Sequence, residues 1–302
     1  MSEEKTQTME IKNKIKRKCK KKRTLKQKFY RSFKNSILNL STFLISIILL
    51  VSIFSLLICV STNYIKTTTI SMSTKYISGI KIVQLSDING RIIKNLNNKM
   101  NTINPDIVVI TGDLVDFYKT AKIDEEKLLS QFDNIEAPIY FVPGDMEHAY
   151  SNYEQFKEKM SDKKIHILEN TSEKIMVKNQ EIIITGIVDP SFYYEDLETF
   201  NEKLKELKVD STQILLSHRA ELMNLYAENN YELVLSGHTH GGYVKIPFIG
   251  AIFSSNQGLF PTYVNGKYTK KNTTMIVSSG IGVGQFPFRL FNFGEIVDIQ
   301  IN

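Results

Sequence analysis

A chain of 302 residues with 42% apolar and 23% charged residues is long and apolar enough to bury a substantial core, which excludes wholesale disorder and a collagen-like repeat. Its charge is unevenly divided: residues 1–35 hold fourteen Lys/Arg against three Glu, a net of +11, and the remainder holds 24 against 29, a net of −5. The pI of about 9.0 therefore describes a tail, not a basic domain that would suit nucleic acid.

In chain order, the basic tail of residues 1–35 is followed by residues 36–62, in which no charged residue occurs. From Phe43 to Val60, fifteen of eighteen residues are apolar. Such a run predicts one membrane-spanning helix, since Leu38 to Val60 at roughly 1.5 Å per residue covers a hydrocarbon core of about 30 Å. The positive-inside rule puts the tail in the cytoplasm and everything after the span outside, a single-pass protein of the cell membrane. No small-x-small cleavage site follows, so the span reads as a retained anchor. Ile58 is too large for the position before a lipidated cysteine, which argues against a lipoprotein box at Cys59. Both cysteines, Cys19 and Cys59, precede the outer domain, which removes disulfides, thiolate metal ligands and a cysteine nucleophile from it. Residues 63–78 are rich in Thr and Ser without apolar periodicity and read as a stalk.

The domain proper is expected over residues 79–302. Strands are predicted at Ile80–Leu85, Ile107–Thr111, Ile139–Val142, Ile182–Thr185, Gln213–Leu216, Glu232–Leu235, Thr274–Val277 and Ile296–Ile301. Helix-compatible stretches lie between them at Ile92–Ile103, Asp124–Asn134, Tyr153–Met160, Tyr194–Leu207 and Ala220–Asn229. The alternation predicts an α/β domain with buried sheets. Five predicted strands run directly into a carboxylate or imidazole: Asp87, Asp113, Asp145, His218, and the pair His238 and His240. Sites in α/β folds form at the carboxyl ends of strands, and this mixture of oxygen and neutral nitrogen donors suits divalent first-row metals. One such Asp is usually a turn former or helix cap, but three of the five histidines fall in two of these strand-end motifs.

The ordered segments Leu85-Ser-Asp-Ile-Asn89, Thr111-Gly-Asp-Leu-Val-Asp116, Pro143-Gly-Asp-Met-Glu147, Leu216-Ser-His218 and Ser236-Gly-His-Thr-His-Gly-Gly242 resemble the calcineurin-like metallophosphoesterases. Leu216–Leu222, Pro247–Gly250, Asn256–Pro261 and Gly280–Arg289 look like its bacterial membrane-associated branch. The resemblance implies a four-layer sandwich, two mixed sheets flanked by helices, holding a binuclear centre that hydrolyses phosphate mono- or diesters. It implies that Asp87, Asn89 and His240 serve a first metal, that Asp113 bridges, and that Asp145, His218 and His238 hold a second. Mn, Mg, Fe or Zn are the candidate ions, one or two per chain.

Three positions depart from the family pattern. Asn89 stands where an imidazole is expected, which weakens the first site. Asp145 replaces a neutral Asn, which tightens the second and lowers its Lewis acidity. Met146 replaces the histidine that assists phosphate binding and protonates the leaving group, a contribution of about 10²–10⁴-fold. Glu147 and His148 are the residues close enough in sequence to act as a substitute acid. The leading expectation is a slow membrane-anchored phosphoesterase acting on a phosphate ester, with a lipid or cell-envelope polymer as its carrier. The alternative is a degenerate domain that retains metal and binds such a molecule without turnover. Phe248, Ile249, Ile252, Phe253, Leu259, Phe260 and the aromatic stretch Phe286–Phe293 either pack the second sheet or form an apolar rim.

Overall fold

The computed structural model describes residues 3–117, 123–193, 196–254, 257–284 and 286–302. Tyr194, Asn256 and Gln285, which fall in stretches singled out above, lie outside them. The chain divides into two units, Met1–Leu56 and Leu57–Asn302. The described residues of the first lie in one continuous helix, α1 (Glu3–Asn63), and among the described residues this is the one helix long and apolar enough to cross a membrane.

The second unit contains two six-stranded mixed sheets. The first has the order β1 (Ile65–Met72), β16 (Gly294–Ile301), β2 (Ile80–Leu85), β3 (Ile107–Thr111), β4 (Ile139–Val142), β5 (Ile165–Ile167). The second has the order β14 (Gly266–Lys270), β15 (Thr273–Val277), β9 (Leu233–Gly237), β8 (Gln213–Arg219), β7 (Gln180–Ile187), β6 (Thr171–Val177). Strands β2 to β5 run parallel, as do β15, β9, β8 and β7. Their β-branched runs are buried on both faces, because each sheet is covered on both sides.

Three apolar clusters separate four layers. Ile82, Ile107, Val109, Ile184, Leu216 and Leu235 pack between the sheets. On the outside of the first sheet lie α2 (Leu96–Ile103), α3 (Glu125–Ser130) and α5 (Tyr153–Asp162), contributing Met100, Leu128 and Phe156. On the outside of the second, α7 (Leu197–Leu207) and α8 (Met223–Glu228) contribute Phe200, Leu204 and Tyr226. These helices present one apolar stripe each, at Leu96, Met100 and Ile103 in α2 and at Tyr153, Phe156 and Met160 in α5. Asp124 and Asp196 start α3 and α7 by accepting from the backbone N–H of Lys127 and Thr199.

One sequence expectation is corrected here. The Thr-rich stretch read as a stalk contains β1, an edge strand paired parallel with β16 from Ile65↔Gly294 to Met72↔Ile301. Its threonines have partners on β16: Thr68 Oγ1 donates to Glu295 (2.6 Å) and Thr69 Oγ1 to Asp298 (3.1 Å). A half-exposed edge strand needs no continuous apolar run, so composition alone made it look like a linker.

Candidate metal centre

Strands β2, β3 and β4 of one sheet and β8 and β9 of the other bring Asp87, Asp113, Asp145, His218, His238 and His240 together at the sheet ends. Short loops make this possible. Asp87, Asn89, Asp113, His238 and His240 all have positive φ, between 48° and 70°, a costly conformation for residues with a Cβ that recurs where a site is over-determined by its surroundings. The surroundings are backbone: Asp87 N and Asn89 N donate to Gly112 O and Asp113 O, and Ile281 N and Gly282 N donate to Ser86 O and Asp87 O. Glycine is required at two contacts. A Cβ on Gly112 would stand 2.3 Å from His218 Nδ1, and one on Gly237 would stand 1.8 Å from Ser86 Oγ.

Two sets of ligand atoms each lie within 4.8 Å of one another: Asp145, His218 and His238, and Asp87, Asp113 and His218. His218 Nε2 is 3.2 Å from Asp145 Oδ1 and 3.4 Å from Asp113 Oδ1, while His238 Nδ1 is 3.0 Å from Asp145 Oδ1. His240 Nε2 approaches Asp87 Oδ1 at 3.5 Å. The opposite ring nitrogen of His218, Nδ1, donates to Thr111 O at 2.7 Å, which turns Nε2 toward the carboxylates. Asp87 Oδ2 is occupied by Ser86 Oγ (2.6 Å) and His238 N (3.1 Å). By contrast Asp87 Oδ1 and Asn89 Oδ1 are buried and accept no hydrogen bond. Two orphaned oxygens beside a cluster of carboxylates and imidazoles fit a cation, because burying them otherwise goes uncompensated.

The two histidine groups differ in protonation. Burial pushes His240 down to about 4, leaving a neutral ring. Burial also opposes charge on His218, but the carboxylates of Asp113 and Asp145 outweigh it and hold the ring well above its ordinary value. Burial alone would raise Asp145, yet hydrogen bonds from His218 and His238 hold it well below the usual carboxylate range.

The sequence-flagged acids take other places. Glu147, in α4 (Asp145–Ala149), accepts from three backbone N–H groups: Gly144 (2.7 Å) and Asp113 (2.9 Å) at Oε2, Val115 (3.1 Å) at Oε1. Both oxygens are thereby spent on shaping the loops that carry Asp113 and Asp145, which corrects its reading as an acid. His148 is exposed and sets its ring 4.7 Å from Phe192. Met146 contributes its backbone N–H, which donates to Asp113 Oδ1 at 3.0 Å.

Sequence reasoning missed three polar groups. Arg219 sits beside the second set, bidentate to buried Asp189 and 3.0 Å from His238 Nε2. Arg289, 1% exposed, donates to the carbonyls of Gly282, Ser279 and His240, and Asn292 Nδ2 adds a second donor to His240 O. Burial pushes Arg289 down to about 10. Arg219 was legible as the neighbour of a flagged histidine and Arg289 as the end of a stretch that carries the family resemblance, but the order of residues does not say that Arg289 and Asn292 act on His240, about fifty positions away.

Two mixed sheets between helices, with carboxylates and imidazoles converging from the strand ends of both, define the α/β class of metallophosphoesterase-like proteins. Residues 80–242 match the family model described as calcineurin-like phosphoesterase, and the chain belongs to that family. YpbG of Bacillus subtilis is 30% identical over 236 residues, covering 76% of this chain and 83% of that protein. The "Transmembrane protein with metallophosphoesterase domain" of Danio rerio is 26% identical, over 74% of this chain and 54% of its own length. F40B5.2 of Caenorhabditis elegans is 28% identical, again over 74% of this chain, which spans only 48% of that protein. Among solved structures, TT1561 of Thermus thermophilus is similar at a TM-score of 0.45 and 15% identity, over 67% of this chain and 90% of that one.

Proposed function

We propose that this chain is a membrane-anchored, metal-dependent phosphoesterase that hydrolyses phosphate mono- or diesters at the outer face of the cell membrane. The observation that carries the reading is the convergence of Asp87, Asp113, Asp145, His218, His238 and His240 around buried oxygens that accept no hydrogen bond. Asp87, Asn89 and His240 would hold one ion, Asp145, His218 and His238 another, with Asp113 between them. Divalent ions there supply Lewis acidity and neutralise phosphoryl charge.

The rest falls to the protein. Thr111 O fixes the His218 ring, Glu147 fixes the turns beneath Asp113 and Asp145, and Arg289 with Asn292 fixes the backbone of His240. Arg219, oriented by Asp189, is the cation beside His238 and Asp145 and offers N–H donors to a phosphoryl oxygen. No imidazole stands at position 146 to protonate the departing oxygen, so esters whose leaving group is stable as an anion are the favoured substrates.

That same lack, with Glu147 bound to backbone, supports a second reading in which the centre binds a phosphorylated lipid or wall polymer without turnover. The full chain, purified in detergent and supplied in turn with Mn, Mg, Fe and Zn, is assayed on mono- and diester nitrophenyl substrates beside Asp113→Asn. Metal-dependent turnover abolished by Asp113→Asn is the expected result. Metal retention without turnover on either substrate would favour the binding domain.

A further inference from the structure

The surface beyond His240 is built unlike the rest of the domain. Between Lys245 and Lys267 there is no charged residue, and between Lys271 and Glu295 the single one is Arg289, which is buried. Apolar side chains nevertheless point outward there: Phe248 is fully exposed, Leu259 70%, Phe260 67% and Ile249 63%. Phe248, Phe260 and Phe291 hold their rings out on backbone with φ of 69°, 52° and 51°. A bulky residue in the left-handed region is strained, and in water the exposed ring returns nothing for that strain.

These residues form one face. The hairpins β10–β11 (Lys245–Ile246, Gly250–Ala251) and β12–β13 (Phe253–Ser254, Gly258–Leu259) are joined by Phe260 N donating to Ile252 O. Lys245 N donates to Leu290 O, and the Phe286 ring lies 4.9 Å from Tyr243 and 6.1 Å from Phe253. Tyr243 in turn stacks on His240 at 5.0 Å. The face is therefore two rings away from the metal centre.

It is also continuous with the end of the apolar helix. Ser61 Oγ accepts from Phe291 N (3.1 Å), Thr62 Oγ1 accepts from Arg289 N (2.9 Å), and Tyr64 meets Phe293 edge to face at 5.7 Å. Arg91 donates to the terminal helix carbonyls of Thr62 (3.0 Å) and Asn63 (2.7 Å) and to Ile281 O (2.8 Å), tying the helix end to the loop below His240. The last residues of the span are thus held on loop 286–293, which carries the exposed Phe286 and Phe291 and is joined to the first hairpin at Lys245.

We infer that the loops carrying Ile249, Phe248, Leu259, Phe260 and Phe291 dock in the outer leaflet of the bilayer that the chain's own helix crosses, so that the metal centre opens beside lipid headgroups. This inference rests on the reading of residues 36–62 as a membrane span. An uncharged, aromatic, outward-held face next to the point where an apolar helix ends suits the interfacial region of a bilayer, and it leaves phosphate esters borne on lipids as the class of substrate presented to the centre.

The test places one environment-sensitive fluorophore on the full chain in vesicles of phosphatidylcholine and phosphatidylglycerol that contain nitroxide-labelled lipid. The label is carried by native Cys59, exposed on α1, with Cys19→Ser. In a Cys19→Ser, Cys59→Ser background it is carried by Phe248→Cys, by Leu259→Cys, or by Asn272→Cys in the turn at the far end of β15. Quenching at 248 and 259 comparable to that at Cys59, with emission at 272 unchanged, is the expected result. Adding Phe248→Glu and Ile249→Glu should abolish the quenching at 259. Quenching at Cys59 without any at 248 or 259 would overturn the docking and leave the span standing; no quenching at Cys59 would overturn both.

Discussion

Arg219 Nη1 lies 3.0 Å from Nε2 of His238. A guanidinium can only donate, so it brings positive charge to the outer edge of the ring and leaves Nδ1 on the side of Asp145 Oδ1, 3.0 Å away. Asp189 holds the other edge of the guanidinium. One arginine thus links a buried carboxylate to an imidazole of the second set.

Removing that arginine should separate metal binding from substrate binding. Because Arg219→Met alone would leave Asp189 charged and buried, the variant is paired with Asp189→Asn. Metal content should be retained, while KM for phosphate esters rises about 10–100-fold, the value of a charge-assisted hydrogen bond. An equal loss in kcat with KM unchanged would assign Arg219 to the transition state alone.

Loading with metal should release a proton from one side of the centre only. The raised His218 carries its proton at neutral pH and must lose it to become a ligand, whereas His240, at about 4, is already neutral. Affinity at the Asp145, His218 and His238 set should therefore increase with pH across the neutral range, with release of about one proton per ion. Calorimetric titration in buffers of differing ionisation enthalpy measures it. After dialysis, elemental analysis should approach one ion per chain, the second set gaining the charged carboxylate of Asp145 and the first weakened at Asn89.

Restoring the absent acid should show in the leaving group. Parent rates should fall steeply as the leaving alcohol becomes less acidic. Met146→His should raise alkyl ester hydrolysis by up to about 10²–10⁴-fold and nitrophenyl ester hydrolysis least. Asn89→His belongs in the same series, since neighbouring changes in one site need not add. A shallow parent dependence, unchanged in the variant, would mean that another group already supplies the proton.

Glu147→Gln tests positioning against proton transfer. An amide presents one acceptor oxygen where the carboxylate presents two, so at least one of the N–H groups of Asp113, Gly144 and Val115 loses its partner. Thermal unfolding should report about 1–3 kcal/mol of destabilisation. The dependence of rate on leaving-group acidity should stay as in the parent; a steeper dependence would restore Glu147 as an acid.

Orientation is tested on intact cells. With eleven net positive charges before the span, protease added outside should degrade residues 67–302 and spare the tail. Protection of the domain until lysis would reverse the orientation.

Much of this was written in the order of the residues. An interior strand buried on both faces is a short, mainly apolar run, so β2, β3 and β4 were bounded to the residue, and the acid that follows each run marked the site. The span was legible because hydrocarbon tolerates no charge. Edge strands escaped: β1 and β6 bury alternate residues and carry Thr, Lys and Glu, so hydropathy could not tell them from linkers. What only the tertiary structure decided is which partner each polar group takes. Glu147 reads as an acid until its oxygens are seen on backbone N–H groups of its own turn and of the loop after β3, and Arg289 has no role until the fold brings it under His240. Apolar burial is a property of each segment's own composition, but a hydrogen bond needs two groups within about 3 Å, and for groups far apart in the chain that proximity exists only once the sheets have packed.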